Sequence, residues 1–109
     1  MTPEQRLAAI RKLADERPQD PFARYSLAMA LRAAGRGDEA AREFEALRGR
    51  SPDYVPTYLM LGQVLEGLGR RDEAARAYGQ GIEVAARAGN DHALAEITQA
   101  LEVLRAQGS

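Results

Sequence analysis

Few residues in this chain could carry out chemistry, and those few are poorly placed for it. His92 is the only histidine, and neither Ser26 nor Ser51 has a histidine at helical spacing that could activate it as a nucleophile. The chain has no cysteine, which excludes disulfides, thiolate nucleophiles and cysteine metal sites. Asp72 and Glu73 could be paired for acid–base work, but their place at a helix start is typical of dipole stabilisation. We therefore expect no enzyme activity, no cofactor and no metal.

The charge balance also limits the kinds of partner. The 109 residues include 15 basic and 16 acidic side chains, so the formal net charge is -1 and gives no bulk attraction to nucleic acid or anionic membrane. Arg36, Arg70 and Arg71 recur at equivalent turns, but interleaved acidic residues would weaken them as a phosphate-binding row. The sequence has no membrane-spanning run and no signal-peptide core at its N-terminus. We expect a soluble cytoplasmic protein that binds neither nucleic acid nor membrane.

The elements that must position these side chains are helices. Apolar residues recur at steps of three and four, and no segment alternates as a strand would. Thr2 with Gln5 forms a capping-box pattern, Asp20 precedes a proline, and Asp53 is expected to cap a further helix. Gly35 can take the left-handed conformation that ends a helix. The first helix should bury a stripe of four residues: Leu7, Ile10, Leu13 and Ala14.

One segment of eight residues occurs twice, 34 residues apart. Residues 35–42 read GRGDEAAR and residues 69–76 read GRRDEAAR. Four further pairs agree in the same register: Leu27 with Leu61, Ala28 with Gly62, Leu31 with Leu65, and Phe44 with Tyr78. The small residues of the two copies are expected where facing helices cross, because larger side chains would force the backbones apart. They are Ala28, Ala40, Gly62 and Ala74.

These positions resemble the tetratricopeptide repeat family, whose units are helix pairs of 34 residues. The resemblance rests on Arg24, Leu27, Ala28, Leu31, Ala40, Phe44 and Pro52 in the first copy, and on Tyr58, Leu61, Gly62, Leu65, Ala74, Tyr78 and Ala86 in the second. Three features depart from the family pattern: Arg24 replaces the leading aromatic, leucines replace the middle one, and Ala86 replaces the closing proline. Without that proline the fifth helix should extend past the usual stop.

The resemblance implies an all-α fold, a short right-handed helical-repeat solenoid of antiparallel helix pairs with about six helices. Residues 1–109 would form a single domain. Within it we expect an N-terminal half-repeat helix at 3–17, full repeats at 21–54 and 55–88, and a C-terminal capping helix at 91–106.

The resemblance also implies a non-catalytic protein-interaction module or scaffold, with a concave groove that receives a peptide or helix of another protein. The groove positions that it implies are Phe22, Tyr25, Met29 and Arg32 in the first repeat, with Leu59, Gln63 and Glu66 in the second. Positions 22, 25, 29 and 32 also form a stripe of their own, separate from the packing stripe. Apolar side chains at Tyr25, Met29 and Leu59 favour an apolar groove.

Other interpretations of this face remain open. The first and last helices could fold over it and bury it within the chain. The face could also pack on a second copy and form a homodimer. Some family members hold a partner's C-terminal carboxylate with lysine and asparagine, but the matching positions are Tyr25, Met29, Met60 and Gln63, so that clamp is absent.

Overall fold

The computed structural model describes residues 1–108, and its ordered elements in this range are six α-helices without a strand. They are α1 (Pro3–Glu16), α2 (Pro21–Ala33), α3 (Gly37–Arg50), α4 (Pro56–Gly67), α5 (Arg71–Ala88) and α6 (Asp91–Gln107). Each helix packs on the next along the chain, and α4 also contacts α6. The predicted all-α helical-repeat solenoid is confirmed, with extents of 43 × 29 × 20 Å.

Local signals set most helix ends. The Thr2 hydroxyl accepts a hydrogen bond from the Gln5 amide at 3.1 Å, and the Gln5 side chain accepts one from the Thr2 amide at 2.8 Å. Asp20 caps α2 by accepting from the Phe22 amide at 3.0 Å. Three glycines at helix ends have φ angles of 76°, 77° and 68°: Gly35, Gly69 and Gly89. These geometries confirm the capping box, the Asp20 cap and the Gly35 stop.

Two local predictions were wrong. Asp53 does not cap α4, which begins at Pro56 without a side-chain cap. The amides of Thr57 and Tyr58 bond instead to backbone carbonyls one turn earlier, each at 3.3 Å, so no side chain is needed. Leu13 is 50% exposed. Leu47, the residue at the equivalent position of α3, is buried. Helix α1 packs on α2 through a different face from the one that carries Leu13, and no described helix precedes α1.

The small residues of the repeated register are all buried. Ala28, Ala40 and Ala74 are fully enclosed, and a Cβ atom added at Gly62 would lie 2.1 Å from Cε1 of Tyr78. The Tyr78 ring therefore occupies the space that any side chain at position 62 would need. This contact explains why position 62 is occupied by glycine.

Arg24, which replaces the leading aromatic, forms a polar link between three helices. Its side chain is 13% exposed and pairs with Glu43 of α3 at 3.0 Å and Asp15 of α1 at 3.2 Å. Arg11 also meets Glu43, at 3.4 Å. In the second copy, Tyr58 is buried at the same register position and donates its hydroxyl proton to the Pro52 carbonyl. The first copy thus uses ion pairs where the second uses aromatic packing.

Thr57 gives a prediction about stability. It is fully buried in α4, and its hydroxyl has no hydrogen-bond partner among residues 1–108. Because an unpaired buried hydroxyl is destabilising, Thr57→Val should raise the free energy of unfolding by about 1 kcal/mol. Urea unfolding measures the change, and Thr57→Ser, which keeps the hydroxyl but loses the methyl group, should be less stable than wild type. A less stable valine variant would show that the hydroxyl is bonded in solution.

Candidate functional site

The concave side of the chain carries a cleft between α4 and α6, which we call the groove. Its first part is a cavity of about 310 Å³ whose apolar lining comes from α2, α4, α6 and the turn before α4. The main side chains are Tyr25, Leu59, Met60 and Ile97. Its second part is a cavity of about 300 Å³, lined among others by Gln63, Glu66, Tyr78 and Gln99. Leu59 and Glu96 line both cavities, so the two form one continuous cleft.

The structure brings together four of the seven groove residues predicted from the sequence. Tyr25 and Leu59 line the first cavity, and Leu59, Gln63 and Glu66 line the second. The other three do not line these two cavities. Arg32 lies next to them, because it donates to the sulfur of Met60 at 3.2 Å and lines a further cavity that shares Gln63 with the second. Met29 is partly buried against the core, and Phe22 is 63% exposed at the start of α2.

The groove is open in this structure. Its predicted members on α2 and α4, apart from the exposed Phe22, are all partly exposed. The N-terminal helix packs on α2, and α6 forms a wall of the groove, contributing Glu96 and Ile97. The interpretation in which both terminal helices bury this face is therefore wrong for the structure described.

Sequence reasoning missed the contribution of α6. We expected this helix only to cap the solenoid, yet Glu96, Ile97 and Gln99 line the groove. The signal was present, because a helix that takes the place of the first helix of a following repeat must also have a concave face. Met60 was considered only for the carboxylate clamp, and the structure places it in the first cavity.

An aromatic cluster supports the α2 side of the groove. The ring of Tyr25 meets Phe44 and Tyr54 edge to face, with centroids 6.0 and 5.9 Å apart. Such contacts hold the Tyr25 ring in place. Burial raises the pKa of Tyr25 above its ordinary value, and the nearby Arg32 lowers it by less. Tyr25 therefore presents a neutral, fixed wall to the groove at physiological pH.

Polar groups are concentrated at the other end of the groove. The Tyr78 hydroxyl donates a short hydrogen bond to the carboxylate of Glu66. Burial and then this bond raise the pKa of Tyr78 well above its ordinary range, so the hydroxyl stays a donor. Glu96 lines both cavities, and its carboxylate lies 3.2 Å from the imidazole of His92, which lines the first cavity; the pair is ionic only when the histidine is protonated. This end of the groove thus presents carboxylate oxygens.

The arginines at the two repeated turns are engaged within the chain. Arg36 pairs with Glu39 at 2.7 Å, and Arg70 pairs with Glu73 at 2.6 Å. Arg71 donates to the backbone carbonyl of Leu104 at 2.7 Å. Phosphate binding by this row would have to displace these partners.

Two kinds of feature are absent from residues 1–108. None of the helices combines the length and the apolar character that crossing a bilayer requires. In the same range, histidine and carboxylate side chains form no group of three that could hold a metal ion.

Comparisons with known proteins agree with this geometry. Residues 31–97 match the family model described as tetratricopeptide repeat. The NMR structure of a tetratricopeptide repeat domain protein from Salinibacter ruber is 41% identical, with 80% of this chain and 88% of that chain covered and a TM-score of 0.76. A crystal structure of such a protein from the same organism is also 41% identical, with 79% of this chain and 97% of that chain covered, at a TM-score of 0.76.

A more distant structure shares the fold over more of the chain. PcrH in complex with the chaperone binding region of PopD is 14% identical, with 98% of this chain and 81% of that chain covered and a TM-score of 0.88. At this identity the similarity shows the fold alone. No curated protein matches the chain.

Fold and groove together define a helical-repeat protein of the solenoid class. The chain belongs to the tetratricopeptide repeat family. This family is a non-catalytic protein-interaction fold, and such solenoids bind their partners on extended concave surfaces.

Proposed function

We propose that this protein acts as a scaffold that binds a helical or extended peptide of another protein in the groove between α4 and α6. The observation that carries the proposal is the position of Leu59, a partly exposed leucine that lines both cavities. A partner side chain seated there would remove Leu59, Tyr25 and Met60 from water together. Grooves that bind amphipathic helices hold the apolar face of the helix through contacts of this kind.

The expected affinity is modest. Burying three such side chains contributes about 5–9 kcal/mol before the costs of association are subtracted. That range corresponds to binding at about micromolar concentrations or weaker. The proposal therefore describes a reversible module and not a permanent complex.

The structure of PcrH supports this function at the level of the fold. PcrH was solved in complex with the chaperone binding region of PopD, and its fold covers 98% of this chain. A closely similar arrangement of helices can therefore hold a segment of another protein. The groove residues of this chain supply the chemistry of the proposed site.

A pull-down from a lysate of the source organism tests the proposal. Leu59→Glu places a charge at the centre of the groove at a partly exposed site, so the fold should be retained. We expect the captured proteins to be lost with Leu59→Glu and kept with Leu13→Glu, a matched control at an exposed leucine on α1. Identical capture by Leu59→Glu, Leu13→Glu and wild type would contradict groove binding.

Self-assembly through the same face is the competing function, favoured by Phe22, which is 63% exposed beside Tyr25 and Met29 on α2. Light scattering distinguishes the two. A mass of 11.9 kDa at all concentrations excludes the homodimer. A doubled mass that Phe22→Glu or Leu59→Glu returns to the monomer value would favour it.

A further inference from the structure

We propose that the partner peptide carries an arginine or lysine that binds Glu66 and Glu96 in the second cavity, next to an apolar residue that fills the first cavity. This inference rests on the proposed function and adds the chemistry of the partner. It follows from the unequal lining of the two halves of the groove.

The first half offers mainly apolar surface. Its apolar lining consists of Tyr25, Val55, Pro56, Leu59, Met60, Ala93 and Ile97, and three polar residues, Asn90, His92 and Glu96, also line it. A cavity of about 310 Å³ with this lining accepts a bulky apolar side chain such as leucine or phenylalanine. This half therefore selects for size and apolarity.

The second half offers acceptors and lacks cations. Two carboxylates line it, Glu66 and Glu96, with the side-chain amides of Gln63 and Gln99 beside them. No arginine or lysine is among its lining residues. A cation in this cavity would thus meet two negative charges, while an anion would be repelled.

Glu66 is held in position for such a ligand. Its Oε2 atom accepts the hydrogen bond from Tyr78, whose side chain is fully buried and cannot swing away. Its Oε1 atom accepts no hydrogen bond within residues 1–108, so this oxygen remains available. A preorganised carboxylate with a free oxygen favours a charge-assisted bond with an incoming N–H donor.

The nearest cations do not satisfy these carboxylates. Arg32 donates to the sulfur of Met60 at 3.2 Å and lines a cavity that shares Gln63 with this one, near enough to lower the pKa of Tyr78, but it forms no ion pair with Glu66 within residues 1–108. Within residues 1–108, Glu96 pairs only with His92, four residues earlier on α6. Within residues 1–108 no arginine or lysine forms an ion pair with Glu66 or Glu96, so both carboxylates can pair with a cation of the partner.

Helix geometry sets the spacing in the partner. Leu59 and Glu66 lie seven residues apart on α4, a rise of about 10 Å. A partner helix spans this distance in about seven residues, and an extended peptide in about three. Because arginine and lysine side chains are long, a basic residue within seven positions of the apolar anchor can reach the carboxylates.

A peptide selection tests this inference. A library of random displayed dodecapeptides is selected on wild type and on a Glu66→Gln, Glu96→Gln double variant, which can still accept the Tyr78 bond through its amide oxygen. We expect bulky apolar residues to be enriched by both proteins. Only wild type should also enrich arginine or lysine within seven positions of the apolar residue.

Fluorescence anisotropy with a selected peptide gives the magnitude. Changing its basic residue to glutamine should weaken binding to wild type by about 10-fold and binding to the double variant by less than about 2-fold. Equal basic enrichment on both proteins, or none on wild type, would overturn the charge inference and leave groove binding intact. Selected peptides that bind Leu59→Glu undiminished, or a library that yields no binder, would contradict the proposed function itself.

Discussion

Gly62→Ala should lower the free energy of unfolding by about 2 kcal/mol and the Tm by about 10 °C. A Cβ atom at position 62 would lie 2.1 Å from Cε1 and 2.5 Å from Cδ1 of Tyr78. That ring is fully buried, and its hydroxyl is tied to Glu66, so it cannot move aside freely. The overlap outweighs the gain of about 1 kcal/mol that alanine brings to a helix interior. Thermal unfolding followed by circular dichroism measures the change.

The chain supplies a matched control for this prediction. Gly79 lies inside α5, and a Cβ atom there would meet nothing within 4 Å. Gly79→Ala should therefore raise stability by about 0.5–1 kcal/mol. In a Tyr78→Phe background, which removes the tie to Glu66, Gly62→Ala should be less destabilising, since the first copy accommodates Ala28 and Phe44 at these positions. Equal gains from both alanine variants would contradict the packing described here.

Ala74→Leu should be more destabilising than Gly62→Ala, at about 3 kcal/mol. Ala74 is fully enclosed in the hydrophobic core, and leucine adds three carbon atoms where no space exists. The helices that meet there would have to separate or distort. Urea unfolding of Ala74→Leu beside Ala46→Leu, an exposed position on α3 expected to change by less than about 0.5 kcal/mol, measures the effect. An Ala74→Leu variant as stable as wild type would contradict the assignment of a crossing point.

Features of the fold that depend on local signals could be predicted from the sequence. The capping box at Thr2, the cap at Asp20 and the left-handed Gly35 all involve residues within one turn of each other. Alanine in place of proline at position 86 correctly predicted a longer fifth helix. Helix α5 has 18 residues, whereas α3, its equivalent in the first copy, has 14. Alignment of the two copies, 34 residues apart, then identified the small residues that are buried.

The groove could be predicted only in part, because it depends on how distant helices face each other. The family resemblance implied Leu59, Gln63 and Glu66 as groove positions, and these three residues line one cavity, but it did not reveal that α6 forms a wall of the cleft with Glu96 and Ile97. The exposure of Leu13 could not be predicted for the same reason, because it depends on whether another helix covers α1. Neither the contribution of α6 nor the exposure of Leu13 can be derived from the spacing of residues within one helix.

Arg24 shows a similar limit. The family pattern marked this residue only as a departure from an aromatic. Its partners, Asp15 and Glu43, lie on two different helices and are brought together only when α1, α2 and α3 pack. Nothing in the sequence pattern pairs these three charges, whereas in the structure they form a partly buried link.

The most direct test of groove binding is an NMR titration of the isotope-labelled protein with a peptide from the selection. We predict that backbone amide shifts will change along the concave faces of α2, α4 and α6, around Tyr25, Leu59, Gln63 and Ile97. Leu13 on α1 and Ala46 on α3 should stay unchanged. Shifts confined to α1, α3 and the outer face of α5, with the groove amides unmoved, would contradict the proposed function.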